Sequence, residues 1–331
     1  MKRLVSVVTG GAGFIGSHVV DALICRGHEV RILDNLSGGH MANIEKQLLT
    51  NQVTLMRGDI RRLEPDDVLF KGVDYVFHLA GIGDIVPSIE RPVDYMDVNV
   101  LGTVRVLEAA RANQAKKVVY AASSSCYGLA ATPTTEMHPI DPKYPYALSK
   151  YLGEQTVFHW AKVYRLRVNS IRIFNAYGPR VRTTGAYGAV FGVFLRQKLA
   201  GQPLTVVGDG TQRRDFVHVK DVAEAFCLAA ESPLSGEIWN CGANNPKTIN
   251  DLVELIGGKV TYIPKRPGEP DCTWADTSKI GRELGWRSEV TFRDGVAEML
   301  HEIDRWSEAP LWTPESIAKA TASWFQALEE R

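Results

Sequence analysis

The chain has no excess of charge of either sign: 38 Lys and Arg balance 38 Asp and Glu, for a formal net charge of +0 and an isoelectric point near 7.1. No global field therefore draws it to nucleic acid or to an anionic membrane, and any polyanionic ligand must be gripped by a local site. Cysteine is sparse as well. Cys25, Cys126, Cys227, Cys241 and Cys272 are odd in number and form no CxxC pair, so neither a disulfide framework nor a structural metal is expected and a reducing cytoplasm fits best. The start, Met1-Lys2-Arg3 followed by Leu4 to Val8, has the basic and apolar regions of a signal peptide, but glycines, His18 and Asp21 interrupt the pattern. Nowhere do about eighteen apolar residues run unbroken, so no membrane span is expected. There is also no internal repeat or low-complexity tract.

What is present is ordinary globular material. Across 331 residues, 45% are hydrophobic and 23% charged, which excludes a disordered or fibrous chain and supplies apolar surface for one or two domains. Through the first 175 residues short β-branched runs alternate with longer amphipathic stretches, the rhythm of βαβ units around a parallel sheet. Strands are expected at Leu4 to Thr9, Glu29 to Leu33, Val53 to Met56, Tyr75 to Leu79, Lys117 to Ala121 and Val168 to Phe174. Helices are expected at Val93 to Arg111 and Pro145 to Arg165, where apolar residues recur every three to four positions. After Asn175 a Gly-, Arg- and Tyr-rich stretch leaves the sheet and a second region begins. Asp215 to Val219 and Lys220 to Glu231 read as a strand and helix able to return to the first domain. The Pro- and Gly-rich Ile263 to Pro270 carries charge between periodic segments and reads as a binding loop.

Gly10, Gly13 and Gly16 lie in Thr9-Gly10-Gly11-Ala12-Gly13-Phe14-Ile15-Gly16, directly after the first strand and at the start of the first helix. Glycine there permits a tight turn, close approach to a pyrophosphate and packing of helix on sheet, while the helix N-terminus offers N–H donors to an anion. Asp34 ends the second strand, where its carboxylate would accept from an adenosine ribose and repel a 2′-phosphate. That combination points to NAD rather than NADP.

Of eleven tyrosines only Tyr146 has a lysine four places on, Lys150, which puts phenol and ammonium on one helical face. A phenol titrates near ~10 and becomes a useful base at neutral pH only where positive charge favours the phenolate. Ser123-Ser124-Ser125-Cys126-Tyr127-Gly128 follows a strand, at the carboxyl edge where open α/β sheets bind ligands. A serine hydroxyl there can bridge a substrate oxygen and the phenol.

These residues, with Gly58-Asp59-Ile60, His78-Leu79-Ala80-Gly81, Asn99 and Arg172-Ile173-Phe174-Asn175, resemble the extended short-chain dehydrogenase/reductases. Gly208 to Phe216 and the Arg266 loop narrow the resemblance to NAD-dependent nucleotide-sugar epimerases and dehydratases. It runs over nearly the whole chain in the family's order. It implies an α/β, Rossmann-type doubly wound parallel sheet over residues 1–174, joined by a strand and helix within 215–240, and a smaller C-terminal α/β substrate-binding domain over 175–331. It implies bound NAD, held by Gly10, Gly13, Phe14, Ile15, Asp34, Asn35, Ser37, Gly38, Asp59, Ile60, Leu79, Ala80, Gly81, Asn99, Tyr146 and Lys150. Ser123, Tyr146 and Lys150 would do the chemistry. Asn175, Arg214 and Arg266 match positions that contact a substrate diphosphate, and Glu269 one that contacts its ribose. The two long helices match those of a four-helix homodimer interface.

Within such a family the hydride taken from C4 can return to the other face, elimination can follow across C5 and C6, or an oxidised sugar can leave. Elimination needs an added acid and base, and related dehydratases carry acidic residues where this chain has Ser124 and Ser125. A 4-epimerase is therefore the expected activity, with a 4,6-dehydratase, a 4-dehydrogenase or an NAD-sensing module as alternatives, and polysaccharide or glycoconjugate precursors as its products. Seven residues after Arg266, where relatives gate the C2 substituent, stands the small Thr273. With Gly185 to Val190, it resembles epimerases that accept UDP-N-acetylhexosamines. Asp84 departs from many relatives and either binds the sugar or caps the next helix. Cys126 reads as a small buried hydrophobe. The tail from Trp306 onward is longer than in simple epimerases and has no assigned role.

Overall fold

The computed structural model describes residues 3–183 and 190–328. The expected contribution of Gly185 to Ala189 to sugar selection lies outside them. Seven parallel strands form the central sheet: β1 (Val5–Thr9), β2 (Glu29–Asp34), β3 (Val53–Arg57), β4 (Tyr75–His78), β5 (Lys117–Ser123), β6 (Val168–Ile173) and β7 (Glu237–Cys241), in the order β7-β6-β5-β4-β1-β2-β3. The inner strands are buried because both faces are covered, while the edge strand β3 exposes Thr54 and Arg57. In β5 successive side chains alternate between two cores, Val118, Tyr120 and Ala122 on one face and Val119 and Ala121 on the other, so a continuous apolar run replaces hydrophobic-polar alternation.

Helix α1 (Phe14–Cys25) covers one face, and α2 (Ile85–Glu90) follows β4. Helices α3 (Gly102–Ala112) and α4 (Pro145–Tyr164) cover the other, through Val106, Leu107, Ala110 and Val157. The long helix expected from Val93 is divided: Pro92–Met96 passes through a π turn, Asp97–Leu101, before α3 begins. Gly102 lies against Ile60, where a Cβ would come within 2.6 Å of the isoleucine, so the helix approaches the turn after β3 too closely for a side chain there.

Helix α5 (Val219–Glu231) joins α1 on the first face, burying Val222, Ala223 and Phe226. The strand read at Asp215 to Val219 is Phe216–His218 and pairs with Asn175–Tyr177 outside the central sheet. The strand that extends the sheet is β7, which pairs with β6. A separate core gathers Tyr177, Phe191, Phe194, Leu204, Phe216, Leu252, Met299 and Trp306. The chain closes with α6 (Ala322–Leu328). No helix among the described residues is long and apolar enough to cross a membrane.

One ion pair is sealed inside this frame. Glu154 on α4 and Arg172 on β6 meet at 2.6 Å with side chains 1% and 3% exposed. Ser170 Oγ also donates to Glu154 at 2.7 Å, and Arg172 donates to the Tyr127 hydroxyl at 2.8 Å. That hydroxyl in turn donates to Asn240 Oδ1 at 2.8 Å, so the network ties the loop after β5 to β7. Deleting one charge strands the other in a medium that cannot solvate it. Glu154→Gln is therefore expected to lower unfolding free energy by about 3–5 kcal/mol in urea titrations, a cost larger than that of any exposed ion pair.

Candidate active site

The chain reverses its direction of winding between β1 and β4, and the crevice outside their carboxyl ends is where doubly wound sheets take ligands. Gly10 leaves β1 with φ +72°, and a Cβ on it would lie 2.7 Å from the Ala80 nitrogen that follows β4. Only glycine fits both the backbone and the gap. A Cβ at Gly16 would lie 2.1 Å from the Gly10 carbonyl oxygen, which fixes how closely α1 sits on the turn. Gly13 begins α1 without a side-chain cap, so Phe14 and Ile15 enter the helix with first-turn N–H groups open to an anion.

Asp34 does more than wait for a ribose. Its oxygens accept from Ala12 N at 2.9 Å and Leu36 N at 2.8 Å, bracing the glycine turn against the end of β2. Burial pushes its carboxyl pKa up, and the two N–H donors oppose that shift. A carboxylate has about four lone-pair positions, so capacity for ribose hydroxyls remains. Asn35, Ser37 and Gly38 are exposed beyond it, and Asn35 Nδ2 reaches Asp59 Oδ2 at 3.3 Å. Asp59 pairs with Arg61 at 2.6 Å, which lowers its pKa to about 2, while Ile60 is buried. The glycine cradle, the uncapped helix start and the acid at the end of β2 together fit a dinucleotide.

Leu79, Ala80 and Gly81 continue from β4 along the same crevice. A Cβ on Gly81 would be 3.8 Å from Lys150 Nζ, and one on Gly83 would be 3.9 Å from the Tyr146 hydroxyl. Asn99 has a structural part in the site. Its amide is spent on Ile82 N, Ile82 O and Ser149 Oγ at 2.9 to 3.0 Å, so it braces the glycine loop against α4 from within the π turn. No feature of the sequence distinguishes those partners from a cofactor.

Ser123, Tyr146 and Lys150 come together at this edge. Pro145 opens α4, which sets Tyr146 in its first turn and Lys150 one turn on. The Ser123 hydroxyl acts on the Tyr146 phenol and accepts from Ser125 N at 3.2 Å. Burial is the largest influence on Tyr146 and raises its pKa; the Ser123 hydroxyl lowers it and the nearby Asp84 carboxylate raises it. Burial lowers Lys150 to about 7, opposed by Glu154. Its Nζ rests 4.4 Å from the centre of the Tyr120 ring, a contact that favours the ammonium.

Asp84 precedes α2 without capping it through its side chain, and instead pairs with Arg182 at 2.6 Å. Of its two readings, the cap is thus excluded. Ser125 acts on Tyr144 and lowers its pKa, and the Tyr144 ring lies nearly parallel to that of Tyr146 with centroids 6.3 Å apart. Ser124 is partly buried beside them. Cys126 is buried and its thiol is pushed up to about 12, so it is a packed apolar group.

The remaining candidates form a second cluster facing the first. Thr273 Oγ1 donates to Asn175 Oδ1 at 2.7 Å and accepts from Asp215 N at 3.2 Å, so its side chain is held in place. Arg214 donates to Glu269 at 2.8 Å and to the Pro270 carbonyl at 2.9 Å. Arg266 stands 3.8 Å from the other Glu269 oxygen. One carboxylate thus sits between two guanidiniums suited to two phosphates. Asp215, absent from the expected set, anchors this cluster by accepting from Ala243, Asn244 and Ala275 nitrogens at 2.9 to 3.2 Å.

Because Lys150 is held neutral more easily than in water, its charge costs the fold stability. The unfolded chain binds the extra proton between pH 7 and 10.5, so stability rises across that window. Lys150→Met is therefore expected to raise the melting temperature most at and below pH 7 and to converge on the wild type toward pH 10.5, in a pH series of thermal melts.

Comparison with known proteins agrees with this geometry. The model of the NAD dependent epimerase/dehydratase family matches residues 6–242. The chain is 35% identical over 303 residues to a UDP-glucose 4-epimerase of Mycolicibacterium smegmatis, covering 88% of this chain and 96% of the relative. It is 34% identical to a UDP-N-acetyl-alpha-D-glucosaminuronate decarboxylase of Bacillus cytotoxicus, covering 98% of each. Among solved structures, a UDP-N-acetylglucosamine 4-epimerase from Methanobrevibacter ruminantium in complex with UDP-N-acetylmuramic acid superposes with a TM-score of 0.85 at 33% identity, over 91% of this chain and all of that one. With a family model spanning well over half of its length, this chain belongs to the NAD-dependent epimerase/dehydratase family.

Proposed function

We propose that the protein is a 4-epimerase of UDP-hexoses or UDP-N-acetylhexosamines that works through a transient 4-keto sugar. The observation that carries this reading is the chemistry around the Tyr146 phenol. The Ser123 hydroxyl acts on it, the adjoining loop offers the hydroxyls of Ser124 and Ser125, and the carboxylate that acts on it, Asp84, is paired with Arg182. That set can move a proton at O4, and the two residues that follow Ser123 are hydroxyl side chains rather than the added acid and base that elimination needs. Relatives that act on or bind UDP-linked sugars support the UDP moiety.

Tyr146 accepts the O4 proton, with Ser123 bridging hydroxyl and phenol, and returns it on the opposite course of the reaction. Lys150 supplies positive charge and a donor beside the Gly81–Gly83 loop. Bound NAD supplies the acceptor and then the donor of the C4 hydride. Arg214 and Arg266 hold the diphosphate, with Asn175, and Glu269 binds the nucleotide ribose. That grip keeps the nucleotide in place while the weakly held hexose turns over. Thr273, tied to Asn175 and small, leaves room for a C2 N-acetyl group. The enzyme works in the cytoplasm and serves polysaccharide or glycoconjugate synthesis.

A homodimer belongs to the same reading. Val93 (68% exposed), Leu101 (58%), Leu148 (38%) and Leu152 (37%) present apolar side chains from the neighbouring segments Pro92 to Ala112 and α4. Light scattering is expected to return twice the chain mass of 36.6 kDa; a monomer at micromolar concentration would dismiss this interface.

The reaction is tested by proton NMR of the protein with NAD and UDP-hexoses, with and without a C2 N-acetyl group. The expected result is the anomeric signal of the C4 epimer without accumulating NADH. A C6 methyl doublet or a lasting keto sugar would establish elimination or oxidation instead, and failure on the N-acetylated sugars alone would remove Thr273 as their gate. Tyr146→Phe is expected to lower kcat by at least about 10²–10⁴-fold while NAD remains bound.

A further inference from the structure

The C-terminal segment, to which the sequence assigns no role, brings α6 to the candidate substrate site. Trp306 is buried in the second core, Trp312 O accepts from Gln197 Nε2 at 2.8 Å, and Ile317 is buried beyond a capping box at Thr313 and Ser316. The chain is then anchored well enough to deliver α6 to a defined place. There Trp324, 5% exposed, donates from Nε1 to the Pro267 carbonyl at 2.9 Å. The Arg266 guanidinium carbon lies 5.6 Å from the centre of the indole. Leu328 approaches Gly268, where an added Cβ would be 3.5 Å away.

The same helix also reaches the first half of the molecule. The Trp324 ring lies 6.2 Å from that of Tyr144, which stacks on Tyr146, and Ser323 Oγ donates to Glu90 on α2 at 3.0 Å. Residues 264–270 form no helix or strand, so their ladder of backbone bonds cannot orient Arg266. An arginine on such a loop loses rotamer and backbone freedom whenever it binds an anion, and a prior contact removes part of that cost. An indole is suited to the task because a guanidinium stacks on its face while the in-plane donors stay available.

From this convergence we propose that Trp324 is a positioning residue for substrate binding: it holds Arg266 and the Pro267–Gly268 turn in the geometry that grips a nucleoside diphosphate, and it straps that loop to the Tyr144 and α2 side of the cleft. The proposal rests on the nucleotide-sugar reading above. Its effect falls on binding of the diphosphate rather than on proton transfer, since Trp324 touches neither Ser123 nor Lys150 in the described contacts.

The test uses full-length protein with NAD and two variants, Trp324→Ala and Trp324→Phe. UDP alone is titrated by calorimetry, and kcat and KM are measured with the UDP-sugar that the wild type turns over. Trp324→Ala is expected to weaken UDP binding and raise KM by about tenfold or more each, with kcat within about twofold and NAD content unchanged. Trp324→Phe keeps a ring under Arg266 but lacks the Nε1 donor, and should recover part of the loss. Equal UDP affinity in wild type and both variants would overturn the strap, as would a fall in kcat at constant KM. If wild type itself fails to bind UDP, the nucleotide-sugar reading fails instead. Thermal melts identify a misfolded Trp324→Ala, in which case Trp324→Phe decides the matter by the same comparison.

Discussion

The site depends on how closely the ends of β1 and β4 approach each other. At Gly10 there is no space for even one methyl group beside Ala80, and from that contact a line of hydrogen bonds runs inward. Ala80 N donates to Thr9 Oγ1, which is 2.7 Å from His78 Nδ1, while His78 Nε2 is 2.9 Å from Thr103 Oγ1. Thr103 gives its only proton to the Asn99 carbonyl, so it must accept from His78 Nε2–H, and Thr9 donates to Nδ1. Burial lowers His78 to about 3, which keeps it neutral and this single tautomer in place. The line ends at Asn99, whose amide holds the loop that passes Tyr146 and Lys150. The cofactor turn and the reacting side chains are thereby parts of one rigid assembly.

Charge inside the assembly is arranged in layers. Glu154 neutralises Arg172 behind the sheet and at the same time favours the ammonium of Lys150, so the structural pair tunes the functional lysine. In front, Asp84 raises the Tyr146 phenol but is itself paired with Arg182. In the second cluster Glu269 occupies the two arginines that would otherwise repel one another. On the proposed reading a diphosphate replaces that carboxylate as the arginines' partner, beside the Trp324 ring that Arg266 already faces.

Much of the fold was legible because its signals are local. Buried parallel strands read as unbroken β-branched runs, and six of the seven were found within a residue or two. Glu237–Cys241 escaped notice because Trp239, Asn240 and Cys241 do not form such a run, and pairing with β6 alone makes it a strand. The π turn at Asp97–Leu101 was invisible for a similar reason, since it serves contacts to Ile82 and Ile60 that lie far away in the sequence. In the candidate site, Ser123, Tyr146 and Lys150 could be nominated from spacing and from position after a strand. Asp215 could not, because an aspartate whose partners are four distant backbone nitrogens looks like any other acid.

By itself the sequence determined six of the sheet's seven strands, the glycine cradle and the pairing of phenol with lysine, because strand burial, a positive φ and an i to i+4 spacing are all properties of short segments. Tertiary structure alone decided which polar groups remain available. It spent Asn99 on a loop, committed Asp84 to Arg182, fixed Thr273 against Asn175 and brought Trp324 across the chain to Arg266. The physical reason is that a side chain's chemistry depends on partners and burial, and both are contributed by residues that only folding brings near.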